Sequence, residues 1–160
     1  MTESEVHVHV HLVMAGTFPL RVADLLFTDD TLVVPEYEFL TPLFGLARGQ
    51  ASTAGALARQ RYASEGVAGL VEMAERTHRI AYDDIHAVRI YGGGRVGRPK
   101  VAVDVMNGPP YAYRVHAPLD IADLITALRS LGCRRGFDVF RSGTLGFSPT
   151  NSVRRFLADR

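Results

Sequence analysis

Three histidines near the N-terminus have the spacing best suited to chemistry. His7, His9 and His11 occupy alternate positions in the segment 5–12. Alternate residues of a β-strand share a face, with Cα atoms roughly 7 Å apart, so neighbouring imidazoles can converge on one metal ion. This pattern makes the three histidines a candidate metal site, and a metal-dependent enzyme one hypothesis for function. The interpretation that the sequence favours is a solvent-facing polar strand face, with no bound cofactor.

A glycine-rich segment offers a second kind of site. Residues 92–97 satisfy the pattern G-x-G-x-x-G, but a dinucleotide site needs a helix directly after it, and here the chain continues into a strand. The segment therefore predicts a hairpin tip rather than a nucleotide loop. Its cations, Arg95, Arg98 and Lys100, could contact an anion such as a lipid headgroup.

Charge is distributed unevenly along the chain. Residues 1–94 hold 7 basic and 12 acidic residues, whereas residues 95–160 hold 11 basic and 5 acidic residues. Arg134 and Arg135 open a basic C-terminal extension, 133–160, in which phenylalanines alternate with arginines. Such a segment could bind RNA or a nucleoprotein, an anionic membrane, or the acidic half of its own fold.

An apolar stretch begins the helical part of the sequence. Phe39, Leu43 and Phe44 precede Ala-rich segments that we interpret as a helical insertion, 38–77, broken near Gly66. The apolar residues could pack on their own domain or form an interface with a protein partner or a second copy of the chain.

Other features limit the range of functions. We find no nucleophile with a neighbouring base, no phosphate loop and no paired acids in a catalytic context, so the sequence predicts a non-catalytic protein. The lone Cys133, the acidic start and the absence of long apolar runs predict a cytoplasmic location. The length of 160 residues suits one domain spanning 1–160.

Periodicity predicts the elements that would position these residues. The first strand alternates with Val6, Val8, Val10 and Leu12 directed inward, and a hairpin follows in which Pro35 closes the second strand. Asp120 is the expected N-cap of an amphipathic helix that ends at Gly132. Further strands are expected at 87–91, 100–105, 111–116 and within 134–140, with a short helix at 152–157.

Several of these segments resemble the pleckstrin-homology-like domains of bacteria and archaea and the related GRAM domains. The segment 25–34 is similar to their first hairpin, and Ile80, Tyr82, Asp84, Ile85 and Val88 match a later I-x-Y-x-D-I-x-x-V motif. The resemblance covers about 100 residues and leaves out the helical insertion and the C-terminal extension. It implies an α+β fold, with a bent antiparallel barrel and a closing helix, and a non-catalytic binding or scaffolding module.

Overall fold

The computed structural model describes residues 5–15, 20–40, 46–93 and 97–143, without the side chains of residues 20, 38–40 and 46–52. The described elements are eight strands, two α-helices and one short 3₁₀ helix. In chain order they are β1 (Val6–Ala15), β2 (Leu20–Thr28), β3 (Thr31–Leu40), α1 (Leu46–Met73), β4 (Arg76–Ala81), a short 3₁₀ helix (Tyr82–Asp84), β5 (Ile85–Tyr91), β6 (Lys100–Val105), β7 (Tyr111–Val115), α2 (Ile121–Arg135) and β8 (Asp138–Ser142).

The eight strands form one sheet in the order β4-β3-β2-β1-β7-β6-β5-β8. All neighbours are antiparallel except β5 and β8, which run parallel. The α+β class is confirmed. An edge strand is present close to the expected 134–140, but β8 covers Asp138–Ser142, and residues 134 and 135 belong to α2. The expected barrel is wrong, because β4 and β8 lie at opposite edges and do not pair within the described residues.

The sheet is nevertheless strongly bent. His78 of β4 and Tyr111 of β7 are separated by four strand spacings, which would be roughly 19 Å in a flat sheet. Their ring centroids lie only 5.5 Å apart. The β4 edge of the sheet therefore curves toward β7 around a concave inner face.

The inner face holds the main hydrophobic core, which α2 covers. Leu124, Ile125, Leu128 and Leu131 of this helix are buried against the sheet. Asp120 caps the helix as predicted, accepting a hydrogen bond from the backbone N–H of Asp123 at 3.0 Å.

The predicted helix end at Gly132 is wrong. The helix continues for another turn, and Gly136, with φ of 85°, forms its C-cap. Gly132 is instead buried within the helix, where a Cβ atom would lie 2.5 Å from the carbonyl oxygen of Phe137. This glycine therefore serves close packing rather than helix termination.

The outer face carries α1 over β2 and β3. Ala58 and Leu70 of the helix are buried against Val22, Leu26 and Val33 in a second, smaller core. Gly66 interrupts the helix with φ of 61° and ψ of −146°, which confirms the break predicted there. Because β4 begins at Arg76, the insertion is slightly shorter than the expected 38–77.

The predicted ends of two strands need correction. Leu12 was expected to point inward, but a register shift between Val10 and Val13 puts it on the outer face, with φ of 52°. Val6 also packs with the outer cluster, beyond a second register shift. Pro35 does not close its strand, since β3 continues to Leu40 and Pro35 pairs with Thr77 of β4. The helix expected at 152–157 lies outside the described residues.

Candidate functional site

A β-bulge in β1 shapes the candidate site. Val10 pairs with Leu25 and Val13 with Ala23, so His11 and Leu12 together face the single residue Asp24 of β2. An extra residue in one strand bends it and redirects its side chains. As a result, His9 and His11 both reach the same carboxylate.

Asp24 is the centre of this His-Asp cluster, which consists of His9, His11 and Asp24. The Nε2 atom of His9 lies 2.7 Å from Oδ2 of Asp24, and the Nδ1 atom of His11 lies 3.0 Å from that same oxygen. The other carboxylate oxygen accepts a hydrogen bond from the backbone N–H of Leu12 at 2.8 Å. Both oxygens therefore have partners, and three residues of the bulged strand β1 supply them.

The carboxylate is fully buried, with a relative exposure of 0%. Burial alone would raise the pKa of Asp24, but the hydrogen bonds and positive potential from His11 and His9 outweigh it and lower the pKa to about 2. Asp24 is thus a charged group held in the interior by its imidazole neighbours.

Helix α1 and β3 complete the surroundings of the cluster. The ring of Tyr62 lies 4.5 Å from that of His9, centroid to centroid. The hydroxyl of Tyr37 is buried, and burial together with the nearby Asp24 carboxylate raises its pKa above the ordinary range. On the other side, Leu12 packs against Gly55 of the helix. The cluster therefore lies between the sheet and α1.

The expectation of a solvent-facing histidine strand is wrong for this pair. The side chains of His9 and His11 are only 20% and 14% exposed, because α1 covers them. His7 does not join them and instead contacts Asp29 of the β2–β3 turn at 2.6 Å. The structure thus brings together two of the three predicted metal ligands and adds Asp24.

Sequence reasoning missed Asp24. The available signal was one acidic residue in the otherwise apolar run 22–27 of a predicted strand. A buried charge of that kind needs a partner, and the alternating histidines lie on the neighbouring strand. Chemically, the cluster can hold protons between imidazole and carboxylate, or a metal ion with two nitrogen ligands and one oxygen ligand.

A second site lies on the other half of the outer face. Lys100 of β6 pairs directly with Arg114 of β7, and Arg98 immediately precedes the strand. Burial and the charge of Arg98 lower the pKa of Arg114. Arg98 also donates a hydrogen bond to the carbonyl oxygen of His116 at 3.4 Å. We call Arg98, Lys100 and Arg114 the cation cluster; sequence analysis identified its first two members and missed Arg114.

The other predicted cations do not join this cluster. Arg134 and Arg135 lie in the last turn of α2, where Arg135 is 3.7 Å from Asp29. That turn is at the Val6 end of β1, whereas Arg114 pairs with Met14 at the other end. Eight residues of strand separate these positions, roughly 26 Å.

Four of the predicted site residues lie partly or wholly outside the described part of the chain. Arg95, Leu43 and Phe44 lie outside the described residues. Phe39 lies in β3, paired with Arg21 of β2, but the conformation of its side chain is not described. The predicted apolar interface therefore remains a prediction.

Comparisons with known proteins add a likeness of fold. Neither the models of known protein families nor the curated proteins give a match. Among solved structures, the chain is similar to the hSac2 domain from human phosphoinositide phosphatase Sac2, with a TM-score of 0.53 and 8% identity, over 92% of this chain and 83% of that one. Within the described residues, neither helix is long and apolar enough to cross a membrane.

Proposed function

We propose that this protein is a non-catalytic binding module that works through protein contacts and, at the cation cluster, through contact with an anionic surface. The observation that carries the proposal is the concentration of positive charge around Arg114. Its neighbours in space, Lys100 and Arg98, are also cations, and Arg98 lowers the pKa of the Arg114 side chain.

Arg98, Lys100 and Arg114 concentrate positive charge on one part of the outer face, and a surface of this kind attracts anionic partners. Arginine suits this role because its planar guanidinium can donate two parallel hydrogen bonds to a phosphate or carboxylate. Gly93 and Gly97, which are joined by a hydrogen bond from the Gly97 N–H to the Gly93 carbonyl oxygen at 2.7 Å, precede the cluster in sequence and add no side-chain bulk. An extended anionic surface could therefore approach closely.

The resemblance to pleckstrin-homology-like domains supports a binding role over catalysis, as does the bent sheet with a helix across its concave face. The fold likeness to the hSac2 domain is compatible with the same architecture, but at 8% identity it carries no substrate with it. The charged site would then be a surface added to a stable scaffold.

The test is co-sedimentation with phosphatidylcholine vesicles that contain or lack phosphatidylserine. We expect binding only to the anionic vesicles, and a steep loss between low and physiological salt because the screening length shortens to about 8 Å. The variant Arg98→Gln/Lys100→Gln is expected to bind at least about tenfold more weakly.

A matched control removes the same charge elsewhere: Arg134→Gln/Arg135→Gln, at the far end of the fold, should retain most of the binding. Equal losses in the two double variants would mean that net charge alone is responsible and would contradict the proposed site. Single-stranded RNA, tested in parallel, separates a lipid surface from a nucleic acid. If the protein binds neither the vesicles nor the RNA, the anionic part of the proposal is wrong and only the role in protein contacts remains.

A further inference from the structure

We propose that His9, His11 and Asp24 form a binding site for a divalent transition metal, with Zn²⁺ as the best fit. The three side chains offer one ligand atom each within 4.8 Å of one another, and they form the one such group of His, Cys, Asp and Glu residues in the described part of the chain. This inference is independent of the cation cluster and of the proposed binding role.

The donor set matches the metal class. Two imidazole nitrogens and one carboxylate oxygen suit Zn²⁺, and also Co²⁺ or Fe²⁺, whereas Ca²⁺ and Mg²⁺ prefer sets made only of oxygen. Three protein ligands leave a further position, which water can fill. No rearrangement of the backbone is needed to assemble the set, because the bulge in β1 already directs both rings at Oδ2 of Asp24.

The hydrogen-bonded distances are close to those of a metal site. Ligand atoms placed about 2.0 to 2.1 Å from a tetrahedral ion lie roughly 3.4 Å apart. The two nitrogen–oxygen distances here are 2.7 and 3.0 Å. An ion that replaces the shared protons therefore requires the two imidazole nitrogens to move about 0.4 to 0.7 Å away from Oδ2 of Asp24.

The surroundings fix the orientation of one ligand of the proposed site. The Asp24 oxygen that does not face the two imidazoles accepts a hydrogen bond from the Leu12 N–H at 2.8 Å, as expected for an oriented ligand.

The experiment uses the full chain without an affinity tag, stripped of metal, and titrated with Zn²⁺ by calorimetry and with Co²⁺ by visible absorption. We expect one ion per chain with a dissociation constant of micromolar or tighter, a Co²⁺ spectrum typical of four or five ligands, and a rise in melting temperature with saturating Zn²⁺.

His9→Gln and His11→Gln should each weaken Zn²⁺ binding by about 100-fold or more. His7→Gln is the matched control, since His7 lies on the same strand but contacts Asp29, and it should bind as the wild type does. Loss in all three variants alike, or binding that survives in both cluster variants, would overturn the proposal.

A result on the unaltered protein decides the matter even where the variants fold poorly. Absence of stoichiometric Zn²⁺ or Co²⁺ binding at micromolar concentration would overturn the site and leave the cluster as a proton-sharing ion pair. X-ray absorption of the Co²⁺ form supplies the positive counterpart: it should show nitrogen and oxygen neighbours with imidazole scattering. A spectrum of hydrated cobalt alone would contradict the site.

Discussion

The two halves of the outer sheet face handle charge in opposite ways. Under α1, the Asp24 carboxylate lies between His9 and His11 and is shielded from solvent. On the β6–β7 half, Lys100 and Arg114 lie side by side with Arg98 close by. The first arrangement brings opposite charges together, and the second brings like charges together. Opposite charges held together inside the fold contribute to stability, whereas a group of like charges attracts anions.

The largest loss of stability is expected when the buried charge of Asp24 is removed. Asp24→Ala leaves the Leu12 N–H and both imidazoles without their shared acceptor. We expect the free energy of unfolding in urea to fall by about 3 to 5 kcal/mol, the usual cost of breaking a buried charged pair. Asp29→Ala, which removes the exposed partner of His7, should cost far less. Similar losses for the two variants would contradict the central role of Asp24.

The pH dependence of stability follows from the lowered pKa of Asp24. The folded-state pKa is about 2, below the ordinary value of 3.8. The stabilisation is therefore fully present above about pH 4 and is lost as the pH falls through 2. Two pKa units correspond to about 2.5 kcal/mol.

We expect the unfolding free energy of the wild type to decline by about 2 kcal/mol more than that of Asp24→Asn between about pH 5 and about pH 2, and the rest of the difference to be lost below pH 2. The neutral amide of the variant does not titrate, and the remaining acids are common to both proteins. Parallel pH profiles from urea denaturation would show that Asp24 is not the group responsible.

The covered half also depends on a close helix approach. A Cβ atom on Gly55 would lie 3.0 Å from a methyl carbon of Leu12. Gly55→Leu should therefore force α1 away from β1 and lower stability by about 1 to 3 kcal/mol in urea denaturation. The neighbouring Ala56 is exposed, so Ala56→Leu serves as the control and should change stability little. Equal effects would argue against tight packing at Gly55.

The smallest effect is expected on the β6–β7 half of the outer face, which carries the cation cluster. Arg98→Gln removes a positive charge that lowers the pKa of Arg114. The melting temperature should stay the same or rise slightly at low salt, and any rise should vanish at high salt as screening increases. A clear loss of stability would indicate that Arg98 supports the fold rather than a ligand.

Sequence patterns predicted what depends on local periodicity. The strand at 5–12, the hairpin around Asp29, the strands at 100–105 and 111–115, and the helix capped by Asp120 all follow from alternation or capping residues close in sequence. The parallel pairing of β5 with β8 and the open sheet do not, because they depend on contacts between distant segments. The same limit applies to the site.

For the candidate site, periodicity placed His9 and His11 on one face but could not reveal their burial. The bulge at Leu12 and the position of α1 determine that burial, and neither has a signal in the alternating pattern. Arg114 was missed for a related reason: it became part of the cation cluster only through strand register with Lys100.

The place of β1 in the sheet has a consequence for how the chain folds. This first strand lies between β2 and β7, and it joins the two groups of strands through just two described residue pairs, Val13 with Val115 and Met14 with Arg114. During synthesis its second edge has no partner until about 100 more residues have emerged. Pairing of strands so far apart in sequence is slow, and this edge of β1 stays exposed until the pairing occurs. The earliest strand to be made is thus among the last to be completed.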